Sequence, residues 1–219
     1  QEIEHIKDAG QRMAFEVLSG EQARSIEPVL SEAVTAAILL KDQRFIDPGA
    51  YLAALAESFV ARGGRLETGL ELMGLEARAG EVLLHGTRGW AGDFDAVVLA
   101  TGAWLGAHAR AFGVRRVVQG GRGYSFSVAV EHLPNGPVYL PAARVACTPI
   151  GTRLRVAGMM EFRRPDEALD QRRIAAIVAA ARPLLRGVAL DQRTDEWVGS
   201  RPCTVDGLPL IGATRSPRV

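Results

Sequence analysis

Apolar residues recur at three- and four-residue spacings in two stretches of this chain and at alternate positions in several others. The clearest helical stretch is 166–185, with Leu169, Ile174, Ile177, Val178 and Ala181 facing inward and Asp170, Arg172 and Arg173 outward. Pro183 ends its regular part near Arg182, because proline cannot donate to the helix ladder. A second helix covers 48–62, where Tyr51, Leu52, Leu55, Phe59 and Val60 build one apolar face that calls for a flat partner. Asp47-Pro48 opens it and Gly63-Gly64 closes it. A short helix runs from Ser19 to about Ile26, with Ser19 and Gln22 at capping-box spacing and Pro28 beyond its end.

The remaining pattern is that of strands. Residues 33–40 read as a strand running into a polar turn, and 65–99 as a small antiparallel meander punctuated by Gly69, Gly74, Gly80, Gly86, Gly89 and Gly92. The meander ends in a fully apolar, buried strand over 96–100 that runs straight into Thr101-Gly102. Further strands are expected at 124–130 and at 153–158, where Leu154 and Val156 alternate with Arg153 and Arg155, and a last β-like unit at 196–211. The fold class is therefore mixed α+β (α/β), with three regions: 1–115, a sheet-plus-helix region 116–195, and a segment 196–219 returning to the first.

Composition narrows the function classes. With 47% hydrophobic and 23% charged residues in 219, the chain can bury a real core, and its net charge of +1 gives no global drive toward nucleic acid or anionic membrane. The two cysteines, Cys147 and Cys203, form no CxxC pair, which argues against a disulfide framework and suits a cytoplasmic location. The opening QEIEHIKDAGQ has no apolar secretory core, and the apolar run 96–107 is broken by Thr101, Gly102 and Gly106 well short of the ~20 residues of a membrane span. His5, His85, His108 and His132 lack metal-ligand spacing, and neither GxSxG nor a P-loop occurs.

Two places carry candidate chemistry. A buried strand ending at Thr101-Gly102 lets backbone amides approach a phosphate or ribose, although the same residues serve a plain tight turn. Arg201 stands alone in a mostly apolar, turn-forming stretch, 197–212, where its guanidinium could hold a carboxylate bidentately; the alternative is an ion pair with Asp206. Arg122, in Gly120-Gly121-Arg122-Gly123-Tyr124, precedes a strand rather than a helix and so fails as a dinucleotide site. Cys203 reads as a buried small residue, and Arg163-Arg164 and Arg172-Arg173 as solvated faces.

Three motifs in order resemble the flavoprotein family of D-amino-acid dehydrogenases, glycine and sarcosine oxidases and D-amino-acid oxidases. They are Ala100-Thr-Gly-Ala-Trp104, Arg122-Gly-Tyr-Ser125 and Trp197-Val-Gly-Ser-Arg-Pro-Cys-Thr-Val-Asp-Gly-Leu-Pro-Leu-Ile-Gly212; the Arg153 to Met159 strand and the Asp47-Pro48 helix start also fit. The resemblance implies an FAD-binding part in 1–115 and a substrate-binding sheet and helix in 116–195. It implies FAD contacts at Ala100, Thr101, Gly102, Trp104 and Gly207, with a backbone contact to the adenine side at Leu70. Arg201 would grip the substrate carboxylate at the flavin, and Met159, Met160, Tyr124 and Tyr139 would line the substrate pocket.

The implied reaction is hydride transfer from the Cα of an amino acid, a D-amino acid in the closest members, to FAD N5, giving an imine and then a 2-oxo acid plus ammonia. It needs no protein base, in keeping with a chain that offers no catalytic histidine or paired carboxylate. The implied partners are the small amino acid and, through a quinone acceptor, peripheral contact with a membrane; oxygen is the other acceptor, and no nucleic acid is involved. The sequence departs from the pattern at Leu105, where the family has Ser or Thr, and at Ala143 or Val145, where it has an aromatic pocket residue that Tyr139 replaces only in a rearranged loop. Neither an opening GxGxxG βαβ unit nor a closing Gly-His-Gly segment is present, so the chain reads as an internal fragment, inactive alone, with FAD held mostly by other segments. The competing class is a non-catalytic domain that binds a carboxylate or a partner at Arg201.

Overall fold

The computed structural model describes residues 14–219; the expectations for His5 and for the opening stretch fall outside them. Its elements are β1 (Phe15–Ser19), α1 (Gly20–Ile26), β2 (Ala36–Leu40), α2 (Pro48–Ala61), β3 (Leu72–Ala77), β4 (Val82–Gly86), β5 (Ala91–Phe94), α3 (Leu105–Ala109), β6 (Gln119–Val128), β7 (Val138–Leu140), β8 (Val145–Ile150), β9 (Arg153–Phe162), α4 (Gln171–Ala181) and β10 (Thr194–Cys203). The sheets are β1-β2, β3-β4-β5 and a five-stranded sheet in the order β10-β6-β9-β8-β7. The chain divides into two compact units. One holds the described residues 14–51, Tyr124–Met159 and Leu169–Val198; the other holds Leu52–Gly123, Met160–Ala168 and Gly199–Val219.

The first unit carries the main hydrophobic core. Ile174, Ile177, Val178 and Ala181 of α4 are buried together with Tyr124, Phe126 and Val128 of β6, Leu154 and Val156 of β9, and Val145 and Cys147 of β8. This is the amphipathic stripe laid on the inward face of strands whose side chains alternate. Strands β7, β8 and β9 pair antiparallel, with Val145 opposite Gly158 and Ile150 opposite Arg153. The expected capping box is formed: Ser19 N–H donates to the Gln22 side-chain oxygen at 2.8 Å, and Gln22 N–H to Ser19 Oγ at 3.2 Å. Strands β1, β7 and β8 were not expected from the sequence. β1 is disclosed by its pairing with β2, and β8 carries Pro149, a residue that weakens any strand reading.

Helix α4 begins later than the spacing suggests, at Gln171 rather than 166. Asp170 caps it by accepting from Arg172 N–H at 3.0 Å, while 163–167 forms a turn in which Glu167 pairs with Arg163 at 2.9 Å. An Asp cap outcompetes helical extension because its side chain satisfies an amide that a longer helix would satisfy with backbone.

In the second unit the meander forms as β3-β4-β5, antiparallel throughout, with a register shift between Leu72 and Gly74. Helix α2, whose first turn belongs to the first unit and whose remainder from Leu52 belongs to the second, forms where expected, with Asp47 Oδ1 accepting from Gly49 N–H at 2.9 Å. Its apolar face is uncovered among the described residues: Leu52, Leu55, Phe59 and Val60 are about half exposed and nothing in the helix is buried. The buried strand expected over 96–100 is not formed. Val98 is 90% exposed, and Val97 N–H donates to the Arg218 carbonyl at 2.7 Å without a ladder on either side. An apolar run becomes a central strand only where neighbours pair with both of its edges. Among the described residues no helix is long and apolar enough to cross a membrane.

Two consequences of α4 can be measured. Ile177 is 2% exposed, so Ile177→Asp places an unpaired carboxylate in the core and costs several kcal/mol; a thermal melt within a degree or two of the parent would contradict this packing. The Asp170 carboxyl is held down at about 2 from its ordinary 3.8, first by the Arg172 side chain and then by the Arg172 amide. Its folded value lies below its unfolded one, so its stabilisation is present above the unfolded value and is lost as pH falls toward about 2. Asp170→Asn, which keeps the cap but cannot titrate, is expected to lose less melting temperature than the parent between about pH 5 and pH 2.

Candidate functional site

The early part of β6 is a glycine track with one large residue in it. Gly120, Gly121 and Arg122 are buried, and Gly123 is partly so. A Cβ built on Gly121 would come within 2.6 Å of Cys203 Sγ and 2.8 Å of Met160 Sδ; one built on Gly123 would lie 3.1 Å from Arg201 Nη1 and 3.4 Å from its Cζ. Three side chains from β9 and β10 therefore rest directly on bare strand backbone, a closeness that only glycine permits. Arg201 is exposed on β10 and has no ion pair among the described residues. The Asp206 alternative is not formed: its carboxyl is held below its ordinary value first by the Leu208 amide and then by Thr204, with Arg116 as the charge acting on it.

Arg122 points the other way and is 1% exposed. Its Nη2 donates to the carbonyls of Glu167 at 2.6 Å and Ala168 at 3.0 Å, and its Nη1 lies 3.8 Å from the Glu167 carboxylate. The same 163–168 loop accepts from Ser200 Oγ at Pro165 O, 3.1 Å, and from Gln119 Nε2 at Arg163 O, 3.3 Å. Sequence reasoning missed this burial. The available signal was the glycines on either side, which leave room for one guanidinium.

The end of the 96–100 run is the other candidate place. Thr101 and Gly102 are partly buried, Ala100 is exposed and Trp104 is 48% exposed at the start of α3. Gly102 adopts φ 55 with open space where a side chain would stand, and Thr101 Oγ1 is buried without a hydrogen-bond partner among the described residues. Leu70 packs its side chain against Gly86, and Gly207 holds φ 73 in an exposed turn.

The remaining expected residues lie in the first unit. Tyr124 is 1% exposed and belongs to the core, Met159 adopts φ 65 and packs against that core, and Tyr139 is 62% exposed on β7 at the edge of its sheet. Sequence reading also missed Arg155. Its guanidinium donates to Ser125 Oγ at 2.7 Å, to Ser127 Oγ at 3.0 Å and to the Asp195 carbonyl at 2.8 Å, and burial lowers its pKa. Among the described residues no His, Cys, Asp and Glu group could hold a metal ion.

The two thiols differ in access. Cys147 is fully buried, and desolvation pushes its pKa up to about 12, whereas Cys203 is partly exposed. A thiol-reactive dye at about pH 8 is expected to label one cysteine of the folded chain, Cys203, and both in denaturant; rapid native labelling of Cys147 would contradict the packing of β8.

Comparison with known proteins bears on this geometry. A family model described as FAD dependent oxidoreductase, DAO, matches residues 1–219. An oxidoreductase of Halorhodospira halophila, named by its place in the pyp 5′ region, is 35% identical over 173 residues, covering 75% of this chain and 77% of the relative. A D-amino acid dehydrogenase of Cereibacter sphaeroides is 29% identical over 221 residues, 97% of this chain and 50% of that protein. The crystal structure of glycine oxidase from Geobacillus kaustophilus superposes with a TM-score of 0.81 at 23% identity, covering 94% of this chain and 55% of the other. The chain thus spans about half the length of the D-amino acid dehydrogenase and glycine oxidase chains it matches.

Proposed function

Because the chain belongs to the DAO family of FAD-dependent oxidoreductases, we propose that it is the substrate-gripping portion of an enzyme that oxidises an amino acid, a D-amino acid in the first instance, to the 2-oxo acid. The observation that carries this reading is the state of Arg201. Its guanidinium is exposed, seated flat against Gly123 and without an acidic partner among the described residues, a donor fork ready for a carboxylate.

The residues at the end of the 96–100 run fit FAD. Thr101 offers a buried hydroxyl with no partner, and Gly102 beside it leaves its α-carbon open to an approaching group. Thr101 and Gly102 would hold it, with Ala100, Trp104, Gly207 and the Leu70 backbone as further contacts. When bound, FAD supplies the acceptor for the hydride that leaves the substrate Cα.

The chain's own residues do the positioning. Arg201 fixes the carboxylate by two parallel donors and so fixes the direction of the neighbouring Cα–H bond. The Met160 thioether, over Gly121, presents a soft apolar wall to the substrate side chain. Loss of hydride from Cα and of a proton from nitrogen leaves an imine, which water converts to the 2-oxo acid and ammonia.

The test is Arg201→Lys in the complete, flavin-loaded polypeptide. Lysine keeps the charge but loses the fork, and a charge-assisted hydrogen bond is worth ~1.5–3 kcal/mol. Flavin reduction by amino acids in stopped flow should slow by roughly tenfold to a few hundred-fold in kcat/KM, with reoxidation and melting temperature near those of the parent. Unimpaired reduction would retire the anchor role, whereas a flavin-loaded parent that no amino acid reduces would leave the other reading, a carboxylate-binding domain without redox chemistry.

A further inference from the structure

We infer that Arg122 is a positioning residue for Arg201: a buried guanidinium that ties the strand backbone under the anchor to the 163–168 loop. The inference rests on the reading of Arg201 above. Arg122 immediately precedes Gly123, whose α-carbon is the seat of the Arg201 guanidinium. Ser200 immediately precedes Arg201 itself. Both reach the same loop: Arg122 Nη2 donates to Glu167 O and Ala168 O, and Ser200 Oγ to Pro165 O. Gln119 adds a third tie at Arg163 O. The seat and the residue that sits on it are thus fastened to one short segment.

A purely structural purpose does not account for a cation here. Burying a guanidinium is costly, and a close-packed apolar side chain of similar volume generally holds a fold as well or better. What the cation adds is direction. Two short bonds from one nitrogen to successive carbonyls fix the distance between β6 and the loop more tightly than apolar contact does. Arg201 gains from this because an exposed arginine is otherwise free to sample many rotamers, and its Nη1 already lies within 3.1 Å of where a Cβ on Gly123 would stand. A shift of a few tenths of an ångström in the seat changes where the donor fork points.

The experiment uses the complete, flavin-loaded polypeptide and propionate, a carboxylate that cannot be oxidised at an amine-bearing carbon. Its Kd is measured by titration calorimetry for the parent, Arg122→Gln, Arg122→Lys, Arg201→Lys and the double variant Arg122→Gln/Arg201→Lys. Arg122→Gln is expected to weaken propionate by about tenfold, with Arg122→Lys recovering part of the loss. The double variant should bind no more weakly than Arg201→Lys alone, because the two residues act through one contact. A melting temperature lowered by Arg122→Gln with an unchanged Kd per folded molecule would overturn the inference and leave the Arg201 reading intact. An unchanged Kd in Arg201→Lys would overturn that reading first and this inference with it. If Arg122→Gln does not fold, Arg122→Lys and Ser200→Ala carry the test, and an unchanged Kd in both overturns the inference.

Discussion

Strand β6 has a neighbour on each edge, β10 and β9, so only its two faces remain to be distributed among its side chains. Arg122, Tyr124, Phe126 and Val128 occupy one face and are each 1% exposed or less. Gly121, Gly123, Ser125 and Ser127 occupy the other. That second face carries nothing larger than a hydroxymethyl group, and long side chains from adjacent strands can lie down upon it. A slip of one residue would exchange the faces, putting aromatic rings where guanidinium groups now rest and glycines into the core. The placement of Arg201, Met160, Cys203 and Arg155 all follows from this single register.

Three arginines near this strand show how differently one side chain can be used. Arg122 is buried and donates through Nη2 to two successive backbone carbonyls, so its charge serves geometry. Arg155 is partly buried, donates to Ser125, Ser127 and the Asp195 carbonyl, and has its pKa lowered by desolvation. Arg201 is exposed, with no acidic partner among the described residues, and keeps its donors for something else. The order runs from a cation held by a loop's carbonyls to one whose hydrogen bonds remain to be made. The residue proposed to bind substrate is therefore the one on which the protein's own groups make the least claim.

Much of this was legible in residue spacing. The stripe of α4, the capping box at Ser19, the helix opened by Asp47 and the meander up to residue 94 follow from local periodicity and turn chemistry, and all are formed. The readings that changed depended on neighbours. Residues 96–100 are apolar enough for a buried strand yet stand largely exposed, because a strand needs partner edges that its own sequence does not encode. Strands β7 and β8 were hidden by Pro137, Pro141 and Pro149, and the pairing of β7 with β8 and of β8 with β9 is decided by the sheet. Tyr124, named by the resemblance, is 1% exposed on the core-facing side of β6, a burial that its motif does not announce.

By itself, the sequence determined the chemistry on offer. The motifs at 100–104, 122–125 and 197–212, taken in order, carry the resemblance to the family whose model matches the chain, whereas Thr101-Gly102 or Arg201 read singly suited a tight turn or an ion pair equally well. Only the tertiary structure decided which of these groups are spoken for. Whether Arg201 pairs with Asp206, whether Arg122 meets solvent or the carbonyls of a loop 45 residues away, and whether Met160 faces Gly121 are settled by strand register and loop packing. Those contacts join segments distant in sequence, and periodicity along a chain carries no information about the distance between two of its segments.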